Sequence, residues 1–288
     1  MRTVDFYIDE QHDGRRMSEI LKNRGLSHGV ISELKHGHGV LLNGVPVTAG
    51  ASVHTGDAVT LIFGGEANAV PNDKLHAQVI YDDEDVVVFD KPAGMPVHPT
   101  KWHYTDTLAN LYCALYPGLT FRAVSRLDKD TSGLVAVAKN HLAASRLMSD
   151  DRYRPEKLYY AVTDRGLLDS RGAVGEIIAP IAKEKEGKYR RIISEEGLFA
   201  HTEYRMIRAN DRICMAEVKL HTGRTHQIRV HFAYLGFPLL GDVMYGGSTE
   251  RIRRQALHCG CMTFISPVSG KPVSLTSPLP DDMSRLFG

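Results

Sequence analysis

At 288 residues, with 43% apolar and 24% charged side chains, the chain has length for about two domains and enough apolar mass to bury a sizeable core. It opens M-R-T-V-D-F-Y-I-D-E, with no apolar stretch behind a basic end, and no later apolar run nears the roughly 18 residues of a membrane span, so neither a secretory signal nor a membrane segment is expected. The net charge of +1, with 14 histidines besides, excludes a uniformly basic surface; any nucleic-acid binding must rest on local patches.

Residues 1–63 read as one small module. Met17, Ile20 and Leu21 start a helical pattern that Gly25 ends, and Ser27 is placed to cap a second short helix through Ile31 and Leu34. V-L-L-N-G-V-P-V at 40–47 predicts two strands around an Asn43-Gly44 turn. Gly56-Asp57 then precedes a strand at 58–63. Six Lys/Arg against seven Asp/Glu give this module a balance of −1. Residues 64–74, rich in Gly, Asn, Pro and Asp and without periodicity, read as a linker.

A larger domain is expected from 75 to 288. Residues 79–81 and 86–89 predict strands split by an acidic turn, followed by the Pro/Gly-stiffened loop K-P-A-G-M-P-V-H-P that carries Lys91 and His98. Asp106-Thr107 caps a helix with Leu108, Leu111, Tyr112 and Leu115 at i, i+3, i+4 and i+7.

The stretch 123–140, A-V-S-R-L-D-K-D-T-S-G-L-V-A-V-A-K-N, organises the rest. Its apolar second half, 134–138, has the pattern of a strand buried on both faces. Its first half is a polar loop with Arg126, Asp128, Lys129 and Asp130, closed by the small residues Thr131, Ser132 and Gly133. A carboxylate on a tight loop against a rigid strand is well placed for chemistry, although most loop aspartates only cap or turn the chain. Two alternatives fail on spacing. As a calcium loop starting at Asp128, the stretch has Lys139 at its twelfth position, where a bidentate Glu belongs. As an aspartyl-phosphate nucleophile of the haloacid-dehalogenase type, D-x-D-T should follow a hydrophobic strand, but here the apolar run comes after the acids.

Residues 141–148 are helical by composition, and 157–163 predict a strand in which Tyr159 and Tyr160 face opposite ways. K-E-K-E-G-K-Y-R-R at 183–191 reads as a charged, hairpin-like loop. Its five basic residues around Tyr189 fit either a solvated tip or a grip on phosphates and a base. A strand at 213–220 leads into H-T-G-R-T-H-Q-I-R-V-H, where Thr225 is expected to cap a helix whose Ile228, Phe232 and Leu235 share one face. The four cysteines, Cys113, Cys214, Cys259 and Cys261, form no C-x-x-C pair. Even Cys259/Cys261 beside His258 reads as packed thiols rather than a metal site, in keeping with a reducing, cytoplasmic setting.

In order, these motifs resemble the RluA-like pseudouridine synthases: R-L-D-x-x-T-S-G-L with an apolar strand ending in Ala-Lys, K-P-x-G-x-x-V-H-P, K-x-Y-x-A at 157–161, and T-G-R-T-H-Q-I-R-V-H followed by G-D-x-x-Y-G. The family more often has His where this chain has Ser125. Helix, helix, V-x-x-N-G-x-x-V and G-D-x-V at 1–63 resemble an S-four-type (αL) RNA-binding domain, although the charge balance points to weak affinity for RNA. The resemblance implies an α+β fold: the small N-terminal domain, and a larger, mainly antiparallel sheet flanked by helices around a central cleft. It also implies a monomeric enzyme without cofactor or metal that isomerises uridine in structured RNA, ribosomal or transfer. Asp128 would be the nucleophile or base at the sugar. Arg229 would keep the carboxylate charged and oriented, with Arg224 as the other candidate. Tyr159 would stack on the uracil and serve as a candidate base at carbon 5. Lys91, His98, Arg126, Thr131, Arg224, His226 and Gln227 would contact the RNA, Arg126 by filling the stack that a flipped base leaves.

Overall fold

The computed structural model describes residues 2–24, 26, 31, 34, 39–48, 50–63, 69–185 and 189–288. The first strands are β1 (Arg2–Tyr7), β2 (Val40–Leu42), β3 (Val45–Pro46) and β4 (Ala58–Phe63). They form an antiparallel sheet in the order β1-β4-β2-β3. Asn43 and Gly44 both take positive φ, 51° and 80°, as the two-residue turn between β2 and β3 requires. This sheet has its own apolar core, in which Met17, Ile20 and Leu21 of the helix Met17–Asn23 pack against Val40, Val59 and Leu61. Ile31 and Leu34 belong to the same core. The remainder of the expected second helix, Ser27 included, lies outside the described residues.

The large sheet begins with β5 (Gln78–Asp82), β6 (Val86–Lys91), β7 (Arg122–Ala123), β8 (Ser132–Ala138), β9 (Glu156–Asp164) and β10 (Val174–Ile178). β11 (Ile181–Lys183) and β12 (Arg191–Ile193) make a separate ribbon. β13 (His201–Ala209), β14 (Ile213–Leu220), β15 (Leu257–Ile265) and β16 (Pro272–Thr276) complete the sheet. Its order is β10-β13-β14-β9-β15-β8-β6-β5, with β16 on β15 and β7 on β8. Among the described residues only β8 and β15 pair in parallel and the other pairings are antiparallel, so the fold is α+β as the motifs imply.

All seven residues of β8 are buried, as the unbroken apolar run predicts. Gly133 lies where β8 meets β15, with φ at 110°, and a Cβ there would overlap the backbone of Cys259. Only glycine lets the two strands approach so closely.

The helix Leu108–Leu115 starts with a full capping box between Thr107 and Asn110. The Asn110 amide also donates to the Val70 carbonyl at 2.7 Å, and Asn72 donates to the Thr105 carbonyl at 2.6 Å. The end of the expected linker is therefore fastened to the large unit. Its first part, 64–68, lies outside the described residues.

Candidate active site

The Asp128 loop is held from behind by main-chain hydrogen bonds. Its own turn closes with the Thr131 N–H on the Asp128 carbonyl at 3.1 Å. The Lys129 carbonyl accepts from the Gly94 N–H and from the Lys91 ammonium, both at 3.0 Å. The Asp130 carbonyl accepts from Arg254 at 3.2 Å, while Arg254 is itself anchored to both oxygens of Asp282. Lys91 is fully buried and also donates to the Pro92 carbonyl at 2.8 Å, which places it behind the loop rather than in the cleft. That corrects its expected contact with RNA: in K-P-x-G the lysine is a buried strut. Burial pulls its pKa down to about 7, with Asp130 and Asp128 pushing back and Arg254 adding to the fall.

In front of the loop stands Arg229, on the helix Gln227–Tyr234. Its Nε and Nη2 donate to the two oxygens of Asp242 at 2.7 and 2.8 Å, and its Nη1 donates to Asp128 Oδ2 at 2.8 Å. Burial alone would lower the arginine's pKa. The hydrogen bonds and charges of Asp242 and Asp128 outweigh it and raise the pKa, so the guanidinium stays charged. Asp128 Oδ1 has no hydrogen-bond partner among the described residues, and the side chain keeps 26% of its surface exposed. Arg224 is turned elsewhere, its Nε donating to the Phe199 carbonyl at 3.1 Å.

Helix entry differs from the Thr225 cap that the sequence predicts. His226 precedes the helix in the left-handed region, φ 58°, with no side-chain cap. The turn is fixed instead by Gln227. Its Oε1 accepts from the Arg224 N–H and the Thr222 hydroxyl, both at 2.9 Å, and its Nε2 donates to the His201 carbonyl and Thr202 Oγ1, both at 3.0 Å. The Gln227 amide is thus committed to the protein, which corrects its expected contact with RNA to a positioning role. His226 Nδ1 lies 3.0 Å from the Tyr245 hydroxyl, and its Nε2 lies 3.7 Å from Asp128 Oδ2. The Arg229 guanidinium sits over the Tyr245 ring, 5.1 Å from its centroid.

Asp128, His226, Gln227 and Arg229 line a cleft of about 630 Å³, together with Tyr159, Thr131, Arg126, His98 and Arg224. That volume is within the range of small-molecule sites. Tyr159 is only 5% exposed, and burial, with Cys259 and Asp128 adding, raises its pKa well above 10. At neutral pH its hydroxyl holds its proton. Tyr160 faces the other way, with its hydroxyl 3.6 Å from the Cys261 sulfur. Thr131 is buried and its hydroxyl accepts from Gln255 at 3.3 Å. Arg126 is exposed, with no hydrogen-bond or ion-pair partner among the described residues.

Three groups, one in the cleft and two behind it, were given no role in the sequence reading. Lys157 lines the cleft one strand repeat before Tyr159, and burial lowers its pKa; the period-two rule already placed it on the face of Tyr159. Asp242 and Tyr245 lie in G-D-x-x-Y-G, a motif that carried the resemblance but gave neither residue a role; in the fold Asp242 holds Arg229 and the Tyr245 hydroxyl meets His226. Among the described residues no three His, Cys, Asp or Glu converge as a metal site, and no helix is long and apolar enough to cross a membrane.

The chain matches the RNA pseudouridylate synthase family over residues 85–234. It is 35% identical to the "Uncharacterized RNA pseudouridine synthase YlyB" of Bacillus subtilis, across 100% of this chain and 98% of that protein. It is 33% identical to the "Ribosomal large subunit pseudouridine synthase D" of Xanthomonas campestris, across 97% and 90% respectively. Among solved structures, "Human RNA Pseudouridylate Synthase Domain Containing 1" superposes with a TM-score of 0.57 at 26% identity, covering 72% of this chain and 85% of that one. A sheet with one parallel pairing, an Asp on the loop that enters it and a matched segment spanning both Asp128 and Arg229 lead to one assignment: the chain belongs to the RluA-like branch of the RNA pseudouridylate synthase family, enzymes that isomerise uridine in RNA.

Proposed function

We propose that this enzyme makes pseudouridine in large-subunit ribosomal RNA, with Asp128 at the ribose, Arg229 fixing that carboxylate and Tyr159 against the uracil. The observation that carries the reading is Asp128 itself: one oxygen is held by Arg229 at 2.8 Å and the other is left unbonded in a cleft. The bond from uracil N1 to ribose C1′ breaks, the base turns, and a bond from C5 to C1′ forms. C5 loses a proton and N1 gains one, so atoms and electrons balance with no redox partner. The unbonded oxygen is suited either to attack C1′ or to remove the proton at C2′. The raised pKa of Tyr159 favours a hydroxyl that passes a proton through hydrogen bonds over a free phenolate base. A paired uridine must first leave its stack, at a cost of a few kcal/mol, and Arg126 stands free at the cleft to fill the gap.

The choice of ribosomal RNA is supported by relatives that carry that substrate in their names. Residues 1–63, with their own sheet and core, serve in this reading as an S-four-type arm that adds modest RNA affinity, and 75–288 as the catalytic domain. The test is to map pseudouridines in total RNA from cells with and without the protein. Loss at large-subunit ribosomal positions is expected. Loss only in transfer RNA would move the substrate, and an unchanged map would overturn the reading.

A further inference from the structure

The loop that leads from β6 to the helix Leu108–Leu115 holds the chain's only tryptophan. Its base is pinned to that helix: the Leu108 N–H donates to the Pro96 carbonyl at 2.9 Å and the Ala109 N–H to the Val97 carbonyl at 3.1 Å. Further out, Thr100 and His103 exchange both main-chain hydrogen bonds, at 2.8 and 3.2 Å, which leaves Lys101 and Trp102 as the tip of a tight turn. His103 Nδ1 also lies 2.6 Å from Asp106 Oδ2. Thr100 and His103 both line the cleft, so the tip stands on its rim.

Trp102 is 80% exposed. Single apolar side chains in water are common, but this one differs in place and company. The Lys101 ammonium lies 5.3 Å from the centre of the ring and has no ion-pair or hydrogen-bond partner among the described residues. Asp106, the carboxylate nearest to it along the chain, is engaged by His103. A second ring, Tyr189, is also 80% exposed and lines the same cleft from the segment before β12. Nothing in the reaction above uses Trp102 or Lys101.

We propose that Trp102 stacks on the base of a nucleotide beside the target uridine and that Lys101 takes that nucleotide's phosphate. The inference rests on the RNA reading above and adds to it a contact outside the reacting site. An indole offers a face to any base, and a cation beside it suits the backbone. Place favours RNA over a protein partner, because a strand with one uridine in the cleft has its neighbours at the rim. A protein would need a far larger surface than one ring at the tip of a turn. The bracing bears on affinity, since a tip already held in shape loses little freedom on binding.

The test uses the full chain and a large-subunit ribosomal RNA transcript. Because the chain has no other tryptophan, its indole emission reports on Trp102 alone, and saturating transcript is expected to quench it strongly. Trp102→Ala should raise KM about tenfold and weaken equilibrium binding equally, with kcat within about twofold and the melting temperature unchanged. Trp102→Phe keeps a ring and should recover most of that loss. Lys101→Ala should weaken binding about threefold and flatten its dependence on salt. Unquenched emission with unchanged KM in Trp102→Ala would overturn the contact, as would equal losses in Trp102→Ala and Trp102→Phe. A salt dependence unaltered in Lys101→Ala would overturn the phosphate contact. If the unmodified protein makes no pseudouridine in any RNA, yet the transcript quenches Trp102 and Trp102→Ala binds about tenfold more weakly, the enzymatic reading falls and the contact stands.

Discussion

Arg229 joins two regions that treat the same chemical group differently. On the buried side, Asp242 is wholly removed from water and gives both oxygens to the guanidinium. On the cleft side, Asp128 gives one oxygen and remains 26% exposed. The bidentate pair fixes the plane of the arginine, and the arginine then fixes Asp128 through a single bond. A carboxylate oriented in this way keeps an oxygen for chemistry, which a bidentate grip on Asp128 itself would have consumed. In the proposed reading the anchor and the reactive group are therefore separate residues, and burial assigns the parts.

The sharpest way to break the comparison is at Asp128. Asp128→Asn keeps an acceptor for Arg229, so the fold and the affinity for RNA should stay within about threefold of the unmodified protein, while pseudouridine formation drops to background. Residual turnover above background in a single-turnover assay would remove Asp128 from the chemistry. The converse change, Asp242→Asn, breaks a buried pair and should cost about 3–5 kcal/mol of unfolding free energy in urea melts, with activity falling as Arg229 loses its place. Arg229→Leu should cost a similar amount, because it leaves carboxylates without their cation, and Arg224→Leu little. If Arg224→Leu proved the more damaging, the roles given to the two arginines would change places. Smaller again is Tyr159→Phe, which keeps the ring. Most of the rate should be lost at unchanged RNA affinity, and the unmodified enzyme's rate should show no steady climb toward pH 10. A rate that rises tenfold per pH unit in that range would restore the phenolate base.

Much of this was legible before folding. The β8 run and the Asp128 loop could be read because a fully buried strand leaves an unbroken apolar signature, and because Gly133 marks the one point where β15 comes too close for a side chain. Arg229 and Tyr159 came from motif resemblance, not from periodicity. What failed to show was direction and long-range docking. K-P-x-G tells that the loop is stiff but not whether Lys91 points to its front or its rear. Thr225 had the chemistry of a cap, but the left-handed turn at His226, secured by Gln227, took over the helix entry. β1 and the residue after it carry an alternation, Val4, Phe6 and Ile8 against Thr3, Asp5 and Tyr7, that went unread as a strand, and its partner β4, more than fifty residues away, is named by no local signal. Asp242 belongs to the site only because the loop 241–246 folds under the helix Gln227–Tyr234, a contact no local rule encodes.

Lys91 offers the finest test of front against rear. Its ordinary pKa of 10.5 is drawn down to about 7 in the fold, chiefly by burial. Between those limits the unfolded chain carries a proton that the folded chain does not, so stability rises with pH across that window, by at most about 1.4 kcal/mol per unit for one proton. Above 10.5 both states are neutral there and the contribution is complete. As pH falls toward 7 it is lost, and below 7 both states are protonated and the dependence ends. Lys91→Met removes the titration along with two hydrogen bonds to the loop, so its urea stability should lie below that of the unmodified protein. The gap should widen steadily from pH 7.5 to pH 9.5. Parallel profiles would mean that the ammonium stays charged in the fold, and that Lys91 faces water or an acid in place of the carbonyls of Pro92 and Lys129.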